Sequence, residues 1–364
     1  MTNPNEEPKL HKMFVDDFRR GDLKQTIERD FRDLKEFMLN EERRMKLREI
    51  GRFKRWLYMS WWFLKTLFLK LTPARRFLVA LSLFLFLMQD NFNVTSSGFR
   101  VNFNFGPLSG ILLLFVLMLE LKDKLLAHEE LEAGQAVQQA LMPPQSPDVP
   151  GWRIWLFTRS ANEVGGDLVD FIRISPKRFA VAVGDVAGKG LRAALLTAKL
   201  QATMRAIAPD FTSLPLLGAK LNEIFNRDSL PTLFASLLYF EFEENGSLRF
   251  INAGHLPPVL LKGQEIKKFD KGGVALGLVP VATFDEKSLK IQHNELLLAY
   301  SDGITDAQNA AGEFFGENRL FDLLPKLTNL STDQIGETII KELDRFIGEA
   351  RATDDVTIAI LRRV

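Results

Sequence analysis

The spacing of apolar residues changes character several times along the chain. In residues 1–50, Leu23, Ile27, Phe31, Leu34 and Met38 recur at helical spacing behind a capping-box-like Asp22-Leu-Lys-Gln25. This predicts an amphipathic helix or helical hairpin in a densely charged segment. Two apolar runs come next, Phe77–Met88 and Leu108–Leu119, separated by the polar stretch Gln89–Gly106. From Glu120 to Leu141 a polar helix continues, carrying Leu121, Leu125, Leu126, Leu131, Val137 and Leu141. Pro143 and Pro144 end it. No proline interrupts Leu108–Met142, so a continuous helix is expected to lead into the C-terminal domain.

Beyond Gly151 the pattern shortens to strand-length apolar runs punctuated by glycine turns. Strands are expected at Arg153–Thr158, Leu168–Ile174, Phe179–Val183, Phe234–Glu241, Leu248–Asn252, Pro258–Leu261, Leu296–Ser301 and Val356–Leu361. Helices are expected at Leu191–Ile207, Leu214–Asn226 and Thr332–Glu349. Asn245-Gly246 between two strand-like runs is a hairpin signal. Short connections favour antiparallel sheets with helices packed outside, an α+β fold.

Aromatic and basic residues interleave before the first apolar run, among them Arg52, Trp56, Tyr58, Trp61, Trp62 and Lys65. That composition suits a headgroup layer. Nucleic-acid stacking is the competing use, set aside because the next segment is apolar. Arg75 and Arg76 precede the first run, and Lys122 and Lys124 come after the second. By the positive-inside rule this reads as a two-span transmembrane hairpin with both ends cytoplasmic. The first run is short against the roughly 20 residues needed to span, and a buried helical hairpin is the competing reading. The expected organisation is therefore a charged helical N-terminal region (1–70), a two-span membrane hairpin (71–121), a linker helix (122–144) and a catalytic domain (145–364). Such a protein would be multi-pass in the inner membrane.

Composition narrows the chemistry. The 364 residues carry a net charge of +1, which gives no field for nucleic acid. Cysteine is absent, excluding disulfides, zinc-thiolate sites and cysteine nucleophiles. Only four histidines occur, so a metal site must use oxygen ligands, pointing to magnesium or manganese.

Four acidic signatures lie beside small residues at expected strand ends: Glu163-Val-Gly-Gly-Asp167, Gly184-Asp185-Val186, Ser301-Asp302-Gly303 and Thr353-Asp354-Asp355-Val-Thr357. Each alone is weak, since Asp-Gly is more often a turn than a ligand. Together they are the set expected for two hard metal ions sharing a bridging carboxylate. Gly184–Gly190 does not have P-loop spacing.

These motifs, with Asn252-Ala-Gly-His-Leu-Pro-Pro258, Asp306 closing Ser301–Asp306, and the preceding Gln138-Gln-Ala-Leu-Met-Pro-Pro144, resemble the metal-dependent PPM serine/threonine phosphatases. The similarity is to their SpoIIE/RsbU-type branch and covers about residues 135–364. It implies an α-β-β-α sandwich of antiparallel sheets and two Mn²⁺ or Mg²⁺ ions. It further implies that Asp185 bridges the metals with help from the Val186 carbonyl. Asp167 would ligate or position water at one metal; Asp302 and Asp354 would complete the other, with Asp355 as neighbour or alternate ligand. Asp185, Asp167 and Asp302 would be the catalytic set, acting through metal-activated water without a phosphoenzyme. The substrate implied is a phosphoserine or phosphothreonine on a regulatory protein of the anti-sigma-factor-antagonist type.

Other roles stay open. Lys189 and Arg192 are candidates to grip phosphate, or are solvated turn charges. His255 is a general acid or a structural hydrogen bonder in a tight turn. Asp306 is expected to cap a helix start, and Glu163 to stand behind the ligands. The linker helix offers a surface for homodimerisation. The alternative function is a membrane-anchored scaffold whose phosphatase fold is weak or inactive and docks a partner; the complete carboxylate set argues against it.

Overall fold

The computed structural model describes residues 51–88, 92–96, 99–103, 105–230 and 232–364. The amphipathic helix expected within residues 1–50 lies outside the described residues. The chain divides into two compact units, Met1–Lys124 and Leu125–Val364.

The described part of the first unit contains helices α1 (Arg52–Lys70) and α2 (Pro73–Leu87) and a two-stranded antiparallel hairpin, β1 (Phe92–Ser96) with β2 (Phe99–Phe103). It also holds the beginning of a long helix, α3 (Gly106–Leu141). Pro73 opens α2 at a position where its missing N–H costs nothing.

Here the membrane expectation is corrected. Among the described residues no helix is long and apolar enough to cross a membrane. Helix α2 has 15 residues; at 1.5 Å per residue it reaches about 22 Å, short of a hydrocarbon core of about 30 Å. In α3 the apolar run ends at Glu120, one turn before Asp123. Polar bonds also join the two helices. The Ser82 hydroxyl reaches the Ser109 carbonyl at 3.0 Å, and the Ser109 hydroxyl donates to the Ser82 carbonyl at 2.8 Å. Arg75 pairs with Glu120 at 2.7 Å and Asp123 at 2.6 Å. Hydropathy over short windows reported greasy helices; it could not report that these helices satisfy polar partners in one another. The two-span hairpin, the multi-pass inner-membrane topology, the membrane as a partner and membrane anchoring as part of the function are therefore withdrawn.

The second unit is a sandwich of two antiparallel five-stranded sheets. The first sheet contains β4 (Asp167–Arg173), β5 (Arg178–Val186), β6 (Ala235–Glu243), β7 (Ser247–Ala253) and β10 (Lys287–Lys290), in the spatial order β10-β7-β6-β5-β4. The second contains β3 (Trp152–Arg159), β8 (Val259–Lys262), β9 (Glu265–Lys268), β11 (Leu296–Tyr300) and β12 (Val356–Arg363), in the order β3-β12-β11-β8-β9. Alternation along the strands sends one face of each sheet into a shared core that includes Ile154, Val181, Val183, Phe240, Leu297 and Leu361.

Helices α4 (Leu191–Ile207) and α5 (Leu214–Asp228) cover the outer face of the first sheet. Their Leu200, Met204, Leu217 and Leu221 bury against Ala182, Tyr239 and Ile251. Helices α7 (Gly316–Leu323) and α8 (Thr332–Ile347) cover the second, packing Leu320, Ile335, Ile339 and Leu343 on Trp155, Leu298 and Ile358. A short turn of helix, α6 (Asp302–Thr305), precedes α7. A capping box at Ser331 and Gln334 starts α8. The Asn245 side chain accepts from the Ser247 N–H at 2.7 Å and closes the β6–β7 hairpin.

The C-terminal end of α3 is fastened to this unit. The Leu141 carbonyl accepts from Gln201 (3.0 Å) and from Arg205 (2.8 Å), and Arg205 also grips the fully buried Asp170 carboxylate through two nitrogens. Arg205→Ala would strand that carboxylate in the interior. The expected cost is about 3 kcal/mol, read as a lowered midpoint of denaturant unfolding with an unchanged slope.

Candidate metal centre

All the acidic signatures arrive at one end of the sandwich. Asp167 opens β4 and lies directly opposite Asp185 of β5 in the antiparallel register. From the second sheet, Asp302 comes just after β11, and Asp354 and Asp355 precede β12. Ser301 joins those two segments: its hydroxyl accepts from the Thr357 N–H (2.9 Å) and donates to the Asp355 carbonyl (3.2 Å). Glycines make the close approach possible. A Cβ on Gly303 would overlap the Asp355 carbonyl oxygen, and one on Gly166 would meet the Val186 carbonyl at 2.9 Å and an Asp185 oxygen at 3.1 Å. A cleft of about 140 Å³ opens here, lined by Gly166, Asp185, Lys189, Asp354 and Asp355 among others.

The carboxylates are close enough to disturb one another. Burial pushes the Asp185 carboxyl up to about 7, with further upward pressure from Asp302, Asp354 and Asp355 and relief from Lys189. Asp302 is raised by burial, then by Asp354 and Asp306. Asp167 is raised well above the usual range, chiefly by burial, with Asp185 and Asp355 adding and the Thr357 hydroxyl opposing. Asp167 is only 4% exposed, and among the described residues its Oδ2 has no hydrogen-bond partner. A buried, unpaired carboxylate oxygen facing like charges is costly unless a cation joins it.

The two neighbouring aspartates differ in what they touch. Asp355 accepts the N–H groups of Ala161 (2.8 Å), Gly166 (2.6 Å) and Asp167 (3.3 Å), so both its oxygens are engaged in holding the β3–β4 loop. Asp354 accepts the Asp355 N–H at 3.0 Å and lines the cleft. Lys189 donates to the Thr353 carbonyl at 2.9 Å, which carries its ammonium to the cleft rim. Arg192 is exposed on the first turn of α4, and Glu163 is exposed 4.0 Å from His128.

Asp306 departs from expectation. It sits after α6 instead of preceding a helix; its N–H bonds the Asp302 carbonyl at 2.7 Å, and its carboxylate accepts from Thr305. The tetrapeptide helix is too short to have shown a period in sequence. His255 is buried and hydrogen-bonded at both ring nitrogens, to Ser236 (2.8 Å) and to the Tyr300 carbonyl (3.1 Å). Burial lowers it to about 4, with the Tyr300 bond opposing, so the ring is neutral and has a structural hydrogen-bonding place. The sequence did not mark Ser236, and it marked Gln138 only as the start of the Gln138–Pro144 motif. Ser236 accepts the Asp185 N–H at 3.2 Å, and Gln138 pairs with both backbone groups of Gly165, at 2.9 and 3.2 Å. Neither stands beside an acidic motif, so their contacts to the site could not be read from the chain.

The donor set fits a hard divalent cation: oxygen ligands only, mutually repelling, with one orphaned buried oxygen. The donors are gathered but not closed into a shell; among the described residues no three acidic or histidine side chains stand close enough to hold an ion as they are.

Residues 175–364 match the family model of stage II sporulation protein E. The chain belongs to the SpoIIE family. That family is a branch of the PPM-type metal-dependent serine/threonine phosphatases. Among its relatives is IcfG of Synechocystis, 31% identical over 263 residues, covering 64% of this chain and 41% of IcfG. Phosphoserine phosphatase RsbU of Bacillus subtilis is 22% identical, with 64% of this chain and 70% of RsbU covered. The chain thus spans less than half of the first relative. Among solved structures, the SiaA-PP2C domain of Pseudomonas aeruginosa superposes with a TM-score of 0.59 at 18% identity, covering 66% of this chain and 99% of that domain. The RsbU and RsbW domains of a Mycobacterium tuberculosis protein give 0.52 at 22% identity, covering 60% and 61%. These likenesses establish the fold.

Proposed function

We propose that this chain hydrolyses phosphoserine or phosphothreonine on a regulatory protein of the anti-sigma-factor-antagonist type, using two Mn²⁺ or Mg²⁺ ions. The observation that carries the reading is the meeting of Asp167, Asp185, Asp302 and Asp354, from four separate segments, at one end of the sandwich, with Asp185 and Asp354 lining the cleft and a buried Asp167 oxygen that has no hydrogen-bond partner among the described residues. The similarity to a protein named phosphoserine phosphatase supports the substrate class.

Asp185, repelled by Asp302, Asp354 and Asp355, would hold the ions together with Asp167 and the Val186 carbonyl from the first sheet and Asp302 and Asp354 from the second. Asp355 holds the loop that presents Asp167. When bound, a pair of divalent ions activates water and neutralises charge on the phosphoryl group. Lys189, with N–H groups to spare beyond its bond to Thr353, offers charge-assisted hydrogen bonds to an incoming phosphate at the rim. The compact unit that holds this site begins at Leu125 and so includes most of the helix expected to lead into it. Leu125, Leu126 and Val137 stay exposed on that helix, which suits a second copy of the chain as a partner.

The test is phosphate release from a phosphoserine-bearing protein by the full chain, with manganese and with chelator. Release that needs manganese is expected. Manganese binding without release would favour the docking role. A second expected outcome concerns pH. Asp185 holds its proton up to about pH 7 and must lose it to bind a cation. Manganese affinity by calorimetry should therefore fall about fivefold from pH 7 to pH 6 and level off above neutrality. A pH-independent affinity would contradict the assignment.

A further inference from the structure

We infer that His255 is a positioning residue which, acting through Ser236 and Tyr300, fixes the spacing of Asp185 and Asp302 across the two sheets. The inference rests on the proposed metal centre. The hydrogen-bond directions are forced by chemistry. The Asp185 N–H can only donate, so it donates to the Ser236 hydroxyl oxygen at 3.2 Å. The Tyr300 carbonyl can only accept, so the Nε2 of His255 carries the proton of that 3.1 Å bond. In the neutral ring Nδ1 is then an acceptor, and the Ser236 hydroxyl donates to it at 2.8 Å. The result is a single directed chain, from Asp185 N–H through Ser236 and His255 to the Tyr300 carbonyl.

This chain passes from one sheet to the other. Asp185 and Ser236 are register partners on β5 and β6 of the first sheet. Tyr300 ends β11 of the second sheet, beyond Leu298, where pairing with β8 stops. The imidazole thus supplies a donor where the ladder has run out. His255 itself lies in the β7–β8 connection that carries the chain between the sheets. Its backbone is clamped by Asn252, which accepts the His255 N–H at 2.8 Å and donates to the His255 carbonyl at 3.0 Å. Pro257 and Pro258 stiffen the exit.

Any buried imidazole must find partners, so bonding alone does not distinguish a strut from a satisfied polar group. The place of its two ends does. One end holds the hydroxyl that accepts the backbone N–H of the bridging aspartate itself. The other holds the carbonyl two residues before Asp302. A flat ring with an acceptor and a donor on different sides spans that gap rigidly; no aliphatic side chain offers both.

The experiment is manganese binding by titration calorimetry on the full chain, comparing wild type, Ser236→Ala, His255→Asn, the double variant and Asp185→Asn. Circular dichroism checks the fold of each. Ser236→Ala is the gentler change and stands alone if His255→Asn does not fold. Expected is a loss of affinity of about tenfold for Ser236→Ala and at least as much for His255→Asn. The double variant should lose no more than His255→Asn, because both changes cut one chain. A folded Ser236→Ala with wild-type affinity would overturn the inference, as would losses that simply add. If instead the wild type binds no manganese, or Asp185→Asn binds it as the wild type does, the metal-centre reading itself fails and the strut falls with it.

Discussion

Asp185→Asn is expected to abolish phosphate release while raising the melting temperature of the metal-free protein. The two effects have one cause. Asp185 is mostly buried and faces Asp302, Asp354 and Asp355, which together with burial push its carboxyl from 3.8 to about 7. The sign comes from proton counting. Between about pH 4 and pH 7 the folded chain holds this proton and the unfolded chain does not, so stability falls as pH rises through that window. At pH 8 the group is ionised in both states, and the folded state carries the full cost of the repelled charge. Asparagine removes that cost, a gain on the order of 2 kcal/mol at pH 8. In the proposed function the same change also removes the ligand shared by both sides of the site. Activity should therefore fall well beyond the roughly 100-fold that outer-shell substitutions cost. Thermal melts in chelator at pH 8, beside phosphate release with manganese, check both halves. A variant that melts lower than wild type at pH 8 would mean that Asp185 is a structural group.

Gly303→Ala is expected to have the second largest effect, and in the opposite direction for stability. Its Cβ would overlap the Asp355 carbonyl oxygen, which is backbone and has no rotamer to change. The Asp302 turn must then part from the start of β12, breaking the Ser301 bonds to Asp355 and Thr357. The cost is about 3 kcal/mol, a drop of about 6–12 °C in melting temperature for a unit of this size. Phosphate release should collapse too, because Asp302 would be moved from its place beside Asp354. Gly110→Ala in α3, which meets nothing within 4 Å, is the control and should melt as wild type. Wild-type stability in Gly303→Ala would show that this turn is free to move.

Much of the catalytic unit could be read from the chain because local signals and tertiary outcome agree there. Apolar runs such as Phe179–Val183 are strands buried on both faces, and the acidic motifs stand where those strands end. What failed to show has identifiable reasons. β9 and β10 read Glu265–Lys268 and Lys287–Lys290, edge strands whose largely polar sequence carries no two-period pattern. The apolar runs around α2 and α3 looked like membrane spans because their polar partners, Ser82 with Ser109 and Arg75 with Glu120, pair across 27 and 45 residues of sequence. In the site, the aspartates were visible beside their glycines. Ser236 was not, because its role exists only once β5 and β6 are paired. Asp355 was visible, but its three backbone N–H partners were not, and they separate its place from that of Asp354.

The most direct test is crystallography of the full chain grown with manganese, using anomalous scattering to locate the ions. The expected result is two manganese peaks with Asp185 between them, one toward Asp167 and the Val186 carbonyl, the other toward Asp302 and Asp354. Peaks elsewhere, or a well-ordered cleft without manganese at Asp185, would contradict a two-metal phosphatase centre.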